Sequence, residues 1–395
     1  MPTPLHEPTI AEDVLRPTHL EVDLGALAHN YAAIGAHVGP AKVIPILKAN
    51  AYGHGLVEVA RLCERLDAPM VGVAYLEEGL RIRQRGVKMP VLVMGGIVGD
   101  QVPLFLRNDL TLTASSVEKL RAIDAAAGAL GVRARVHLKI DTGMERIGVH
   151  WYSAEALLEA TLAATHVDVE GIFTHFANAD APDLSHARLQ LERFHEVLWF
   201  YERRSLPTPM RHAASSGAVL SLPEAWLDAV RPGVLFYGAL PSPDVPAGRV
   251  SLEPALRWVT RVVYFKVVRG GSPVSYGSTW APADLERVVT LPVGYGDGYP
   301  RAMSGKAEVL VRGQRRPVVG RICMDQVMVS LGRDGTAYNG DEVVLLGRQG
   351  EAEIRVEQLA RWAGTIPHDI LAGIGTRVPR VYRAEPPRSR PEAAV

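Results

Sequence analysis

The sequence predicts two folded parts, an α/β part built as a (β/α)8 TIM-like barrel and, after it, a mostly antiparallel C-terminal β domain. Two observations carry that prediction. Between residues 20 and 238 short β-branched runs alternate with longer amphipathic stretches, the pattern of β/α units around a parallel sheet. After the proline-rich segment 241–246, Pro-Ser-Pro-Asp-Val-Pro, the texture changes to strand-like runs cut by glycines.

Eight barrel strands are predicted at 43–47, 70–74, 90–94, 110–113, 135–140, 169–174, 210–213 and 229–237. Seven helical stretches lie between them, the number a (β/α)8 barrel needs. One helix begins after Ser115, where Ser-Ser-Val-Glu makes a capping box. In the second part, strands are predicted at 258–268, 288–293, 308–311, 318–320, 326–331 and 342–346, with a helix over 356–363. The expected organisation is an N-terminal extension over 1–18, the barrel over 19–246, the β domain over 247–384 and a proline- and charge-rich disordered tail over 385–395.

The 395 residues suit two domains with substantial cores. Lys and Arg number 43, matching 43 Asp and Glu, and no long block of one sign occurs, so neither nucleic acid nor a membrane surface is expected as a partner. A small-molecule substrate fits that balance. Cys63 and Cys323 lie far apart in apolar surroundings, which argues against a disulfide framework or a thiolate metal site, and no metal is expected. Residues 1–16 lack an apolar core and the longest apolar run, 89–99, is too short to span a bilayer. A cytoplasmic protein is expected.

The stretch richest in chemistry is 43–55, Val-Ile-Pro-Ile-Leu-Lys-Ala-Asn-Ala-Tyr-Gly-His-Gly. Here a strand ends in Lys48 and runs into a polar loop spaced by glycines. A lysine at the C-terminal mouth of a barrel strand can be desolvated enough to lose its proton and form a Schiff base with an aldehyde cofactor. A lysine at a strand end can equally reach into water. Residues 137–149 end another predicted strand in a dense polar cluster that includes Lys139 and Arg146, two cations that would repel one another if buried.

The 43–55 string resembles the pyridoxal-phosphate lysine motif of the alanine racemase family, and the likeness extends along most of the chain. It implies a racemase that interconverts L- and D-alanine with pyridoxal 5′-phosphate, as a cytoplasmic homodimer with shared active sites, supplying D-alanine for peptidoglycan. On that resemblance Lys48 is the cofactor lysine and one of two bases, and Tyr52 helps to hold the cofactor phosphate. A two-base racemase needs a proton acceptor on each face of a planar carbanion. The resemblance assigns the second base to Tyr276, in Val-Ser-Tyr-Gly-Ser-Thr-Trp over 274–280, contributed by the partner subunit.

The remaining roles follow the same resemblance. Lys139 matches a lysine often carbamylated in the family, an anion that positions Arg146 toward the cofactor's phenolic oxygen and the substrate carboxylate. Arg231 matches the arginine that faces the pyridine nitrogen, and His175 the histidine that stacks on the ring or bonds Arg231. Phosphate contacts are implied for Ser216 and for the N–H groups of Gly233 and Val234. Tyr295 and the pair Met324 and Asp325 would line the substrate channel, although glycine-rich turns and a buried strand would read alike.

The chain departs from the family pattern at three of these places. Glu145 stands where glycine is usual, Ser215 replaces an asparagine, and His368 occupies the position of a tyrosine near the phosphate and the substrate side chain. The last change implies a pocket that could admit serine or a larger side chain, because rejecting one methylene is worth only about 1–3 kcal/mol. A non-catalytic cofactor carrier on the same barrel is the alternative outside enzymes; the second domain with its tyrosine argues against it.

Overall fold

The computed structural model describes residues 16–383 and divides into two compact units. Of the described residues, one unit comprises 28–236 and 240–252; the other gathers 16–27, 237–239 and 253–383. The expected tail over 385–395, and residues 1–15 of the expected extension, lie outside the described residues.

The first unit is a closed ring of eight parallel strands. Lys42–Val43 pairs with Ala229–Val230, which pairs with Met210–His212, then Val167–Phe173, Ala134–Asp141 and Leu112–Ala114. A bridge from Thr111 to Leu92 reaches strand Val91–Val93, which pairs with Val71–Val73, and a bridge from Gly72 to Ile46 closes the circle. The strands are short and rich in Val, Ile and Leu because both faces are buried; Val71, Val91, Leu112, Val136, Leu138 and Ile172 are fully buried. Helices wrap the ring, among them Val117–Leu130 and Ser185–Arg203.

Two barrel expectations need correction. The run 229–237 is not one strand: Ala229–Val230 is followed by a 3₁₀ turn, Val234–Tyr237, because Pro232 has no N–H to give a ladder and the N–H groups of Gly233 and Leu235 turn instead to Ser216 Oγ, at 3.0 and 3.2 Å. The helix after 115 is capped by Ser116, whose Oγ accepts from Lys119 N at 3.1 Å, so the cap lies one residue later than expected.

The second unit is a ten-stranded sheet ordered Tyr264–Val268, Glu286–Leu291, Val327–Gly332, Gln314–Val319, Glu308–Val311, Glu342–Gln349, Leu256–Arg261, His19–Asp23 and Arg380–Arg383, with Ala352–Ile354 beside Glu342–Gln349. Every pairing is antiparallel except that of His19–Asp23 with Arg380–Arg383. The segment expected as one strand over 258–268 breaks at 262–263 and changes partners. Residues 19–27, expected in the barrel, belong to this unit: Leu20 and Val22 are fully buried in a strand held between 256–261 and 380–383.

Candidate active site

The barrel collects its polar residues at the C-terminal ends of its strands, the end where such barrels carry chemistry. Lys48 follows the first strand, Lys139 lies near the end of Ala134–Asp141, His175 follows Val167–Phe173, His212 ends Met210–His212 and Arg231 follows Ala229–Val230.

Lys48 is anchored by an unusual backbone. Ala49, Asn50, Ala51 and Tyr52 all have φ between 50 and 56°, a left-handed turn of four non-glycine residues, closed by Gly53 at φ 79°. Left-handed helical backbone costs L-residues roughly 1–2 kcal/mol each, so the surroundings must hold it. Asn50 Oδ1 accepts from Leu56 N at 2.9 Å, and the Glu78 carboxylate accepts from Ala49 N at 2.7 Å and Ala74 N at 2.8 Å. Burial and the nearby charge of Arg146 lower the Lys48 pKa, partly offset by Glu78.

The same turn buries Tyr52 against Gly233. A Cβ on Gly233 would lie 2.5 Å from Tyr52 Oη, so only glycine leaves that space open. Ser216 Oγ, with the N–H groups of Gly233 and Leu235 bound to it, and the Tyr52 hydroxyl beside Gly233 thus form one cradle.

Arg231 is 3% exposed and pinned on one edge. Its Nη2 donates to Thr174 O at 2.7 Å and Ala213 O at 3.0 Å, its Nη1 donates to His212 Nδ1 at 2.7 Å, and His175 Nδ1 stands 3.3 Å from Nη2. Burial pushes its pKa down to about 9. Sequence reasoning offered His175 as the histidine partner; the shorter contact goes to His212, which it missed. The signal was there, since His212 lies in the predicted strand 210–213, two residues before the Ala-Ser-Ser-Gly run. Lys139 is 3% exposed, donates to Ile140 O at 3.2 Å, and is pushed down to about 7 by burial, then by Arg231.

Asp141 builds the loop that presents Arg146. Its two oxygens accept from the N–H groups of Gly143, Met144, Glu145 and Arg146 at 2.8–3.2 Å. Glu145 has φ 54°, which explains why glycine suits that position.

The second unit brings its candidates together on three adjoining loops. Tyr276, 71% exposed, sits in the turn Tyr276–Ser278. Ser275 Oγ donates to Arg321 O at 2.6 Å, and a Cβ on Gly277 would lie 3.1 Å from Arg321 Cζ. Tyr295 N and Gly296 N donate to Cys323 O and Met324 O at 3.0 and 2.9 Å, tying Tyr295 to Met324 and Asp325. Fully buried Asp297 accepts from Arg16 and Arg377, and Arg377 also reaches Asp325 at 2.8 Å; sequence reasoning missed both arginines. His368 lies on the helix Pro367–Gly373, whose end meets this region: a Cβ on Gly298 would be 2.2 Å from Gly373 O. Among the described residues no His, Cys, Asp and Glu group is arranged to hold a metal, and no helix is long and apolar enough to cross a membrane.

The profile of the alanine racemase N-terminal domain matches residues 22–241 and that of the C-terminal domain matches 255–382. The chain belongs to the alanine racemase family. It is 43% identical over 369 residues to the alanine racemase of Desulforamulus reducens, covering 93% of this chain and 99% of that one. The alanine racemase of the D-cycloserine producer Streptomyces lavendulae superposes with a TM-score of 0.89 at 36% identity, over 94% of this chain and 98% of that one. A histidine racemase of Leuconostoc mesenteroides also superposes, with a TM-score of 0.85 at 29% identity, over 94% and 99% of the two chains. The barrel and the antiparallel sheet are therefore the two parts of the alanine racemase fold.

Proposed function

We propose that this protein interconverts L- and D-alanine with pyridoxal 5′-phosphate, the observation that carries the reading being the cradle of Tyr52, Ser216 and Gly233 beside Lys48 and Arg231 at one barrel mouth. The donor set suits such a cofactor: an amine of lowered pKa for its aldehyde, the hydroxyls of Tyr52 and of Ser216, whose oxygen accepts from Gly233 N and Leu235 N, for its phosphate, and in Arg231 a donor-only group for its ring nitrogen. Bound there, the cofactor supplies an aldehyde carbon and a conjugated ring that accepts the electron pair left when the substrate's Cα–H bond breaks. Arg146 holds the substrate carboxylate, with Met324 and Asp325, and Tyr295 narrows the way in. Val234 N–H and His368 complete the phosphate contacts. Lys48 moves the proton on one face of Cα and Tyr276 on the other.

Tyr276, Met324 and Tyr295 are exposed on one set of loops, which supports a homodimer in which a second subunit covers them. For Lys139, a pKa near 7 leaves a neutral amine that can add to carbon dioxide: an Nζ–C bond forms, a proton leaves, and the anion produced offsets Arg146 and Arg231. Intact-mass measurement under carbon dioxide reads that adduct.

A chiral assay of the purified, cofactor-loaded protein on L-alanine, L-serine and a basic amino acid tests the reading, with L-alanine the expected best substrate; no racemisation of L-alanine overturns it. Lys48→Ala is expected to abolish both turnover and the visible absorbance of the bound cofactor. Racemisation has an equilibrium constant of one, so Tyr276→Phe must slow both directions alike, by about 10²–10⁴-fold. Exchange of the Cα proton with solvent is expected to survive in that variant for one enantiomer only. Exchange lost or kept equally for both would remove the second-base role.

A further inference from the structure

Beneath Arg231 lie two imidazoles whose protons the reading above does not use. His212 and His137 are fully buried. Arg231 Nη1 is 2.7 Å from His212 Nδ1, and His212 Nε2 is 2.7 Å from His137 Nδ1. A guanidinium has donors and no acceptor. His212 Nδ1 must therefore accept, its ring proton sits on Nε2, and that N–H donates to His137 Nδ1. The His137 proton is then confined to Nε2. Arg231, which does not give up its proton, and His137, which accepts, thus call for the same His212 tautomer from its two sides.

The packing leaves the row little freedom. The His212 ring stacks on Phe173 at 4.8 Å and 8°. A Cβ on Gly171 would lie 2.4 Å from His137 Nδ1, so that glycine makes the room the ring occupies. Adding a proton to either ring sets N–H against N–H somewhere in the row. The charges that face these rings, Arg231 and Lys139 toward His212 and Arg231 toward His137, oppose protonation as well. With Nη2 spent on Thr174 O and Ala213 O and one Nη1 hydrogen on His212, the guanidinium keeps Nε–H and its other Nη1–H as further donors.

We infer that His137 is a positioning residue which, by accepting from His212, locks the tautomer whose Nδ1 accepts from Arg231 and keeps an imidazolium from forming beneath it. This rests on the proposed role of Arg231 toward a ring nitrogen, but the tautomer lock belongs to the apoprotein and is measured there. In apoprotein carrying ¹⁵N-histidine, both Nδ1 nuclei are expected to be of the unprotonated type and both Nε2 of the protonated type from pH 6 to 9. His137→Leu removes the acceptor, so His212 is expected to titrate or exchange tautomers in that range. His137→Asn offers Oδ1 to the same N–H and is expected to restore the locked His212 signal.

A protonated Nδ1 on His212 in the wild-type protein overturns the inference, and that measurement needs no variant to fold. So does a His212 spectrum left unchanged by His137→Leu. A locked row in a protein that racemises nothing would instead count against the proposed function alone.

Discussion

At the scale of single residues, the cradle rests on what Gly233 lacks. With Tyr52 Oη 2.5 Å from where a Cβ would stand, Gly233→Ala forces the phenol aside, an overpacking of the kind that costs about 1–3 kcal/mol. Because that hydroxyl and the neighbouring Val234 N–H are among the proposed phosphate donors, the apoprotein is expected to bind pyridoxal phosphate at least about tenfold more weakly, a difference of 1.4 kcal/mol. Tyr52→Phe removes the crowded atom, so the double variant is expected to lose less affinity than the two single losses combined. Absorbance titration of the four proteins decides the matter: strictly additive losses would show that the glycine and the phenol do not meet.

At the scale of elements, the left-handed turn after Lys48 trades stability for a fixed direction of the lysine. Glycine adopts that backbone without the penalty of roughly 1–2 kcal/mol, though it gives back about 0.5–1 kcal/mol in entropy. Ala49→Gly, at an exposed position, is therefore expected to stabilise the fold by about 0.5–1 kcal/mol. Ala51→Gly gains the same relief but forfeits a fully buried methyl, worth about 0.8 kcal/mol, and should show no net gain. Urea unfolding of both variants tests this, and a destabilised Ala49→Gly would mean that the turn is not strained. Such elements also mark what could be read from the chain. The eight barrel strands were legible because apolar runs buried on two faces recur at regular spacing, and the place of Lys48 at the barrel mouth because such a run ends just before it. The turn that aims Lys48 was not, since Ala-Asn-Ala-Tyr carries no glycine to announce positive φ. Nor was the end of strand Ala229–Val230, where a hydroxyl seventeen residues away at Ser216, rather than local propensity, takes the backbone N–H groups.

At the scale of the whole molecule, the two ends of the described chain meet in one sheet, a pairing that local sequence patterns cannot announce because 361 positions separate His19 from Arg380. Side by side, strands His19–Asp23 and Arg380–Arg383 share Glu21, whose carboxylate accepts from Arg257 at 2.9 Å and from Arg383 at 2.6 Å. Burial alone would raise its pKa; hydrogen bonds from His19 and Arg257, with the charges of Arg257 and Arg383, more than reverse this and bring it from 4.5 to about 2. The folded state thus releases this proton more readily than the unfolded chain. Its contribution to stability is complete above about pH 4.5 and fades as pH falls toward 2. The shift corresponds to about 3 kcal/mol, an upper figure because Arg383 is 58% exposed and screened by solvent. Glu21→Gln should therefore be less stable than wild type at neutral pH and converge with it as pH drops through that window. Hydrogen exchange of peptides covering 16–27 and 376–383 reads the difference at the strands concerned, free of the barrel's own unfolding. A gap between the two proteins that stays constant from pH 5 to pH 2.5 would show that the carboxylate's charge does not hold the ends of this chain together.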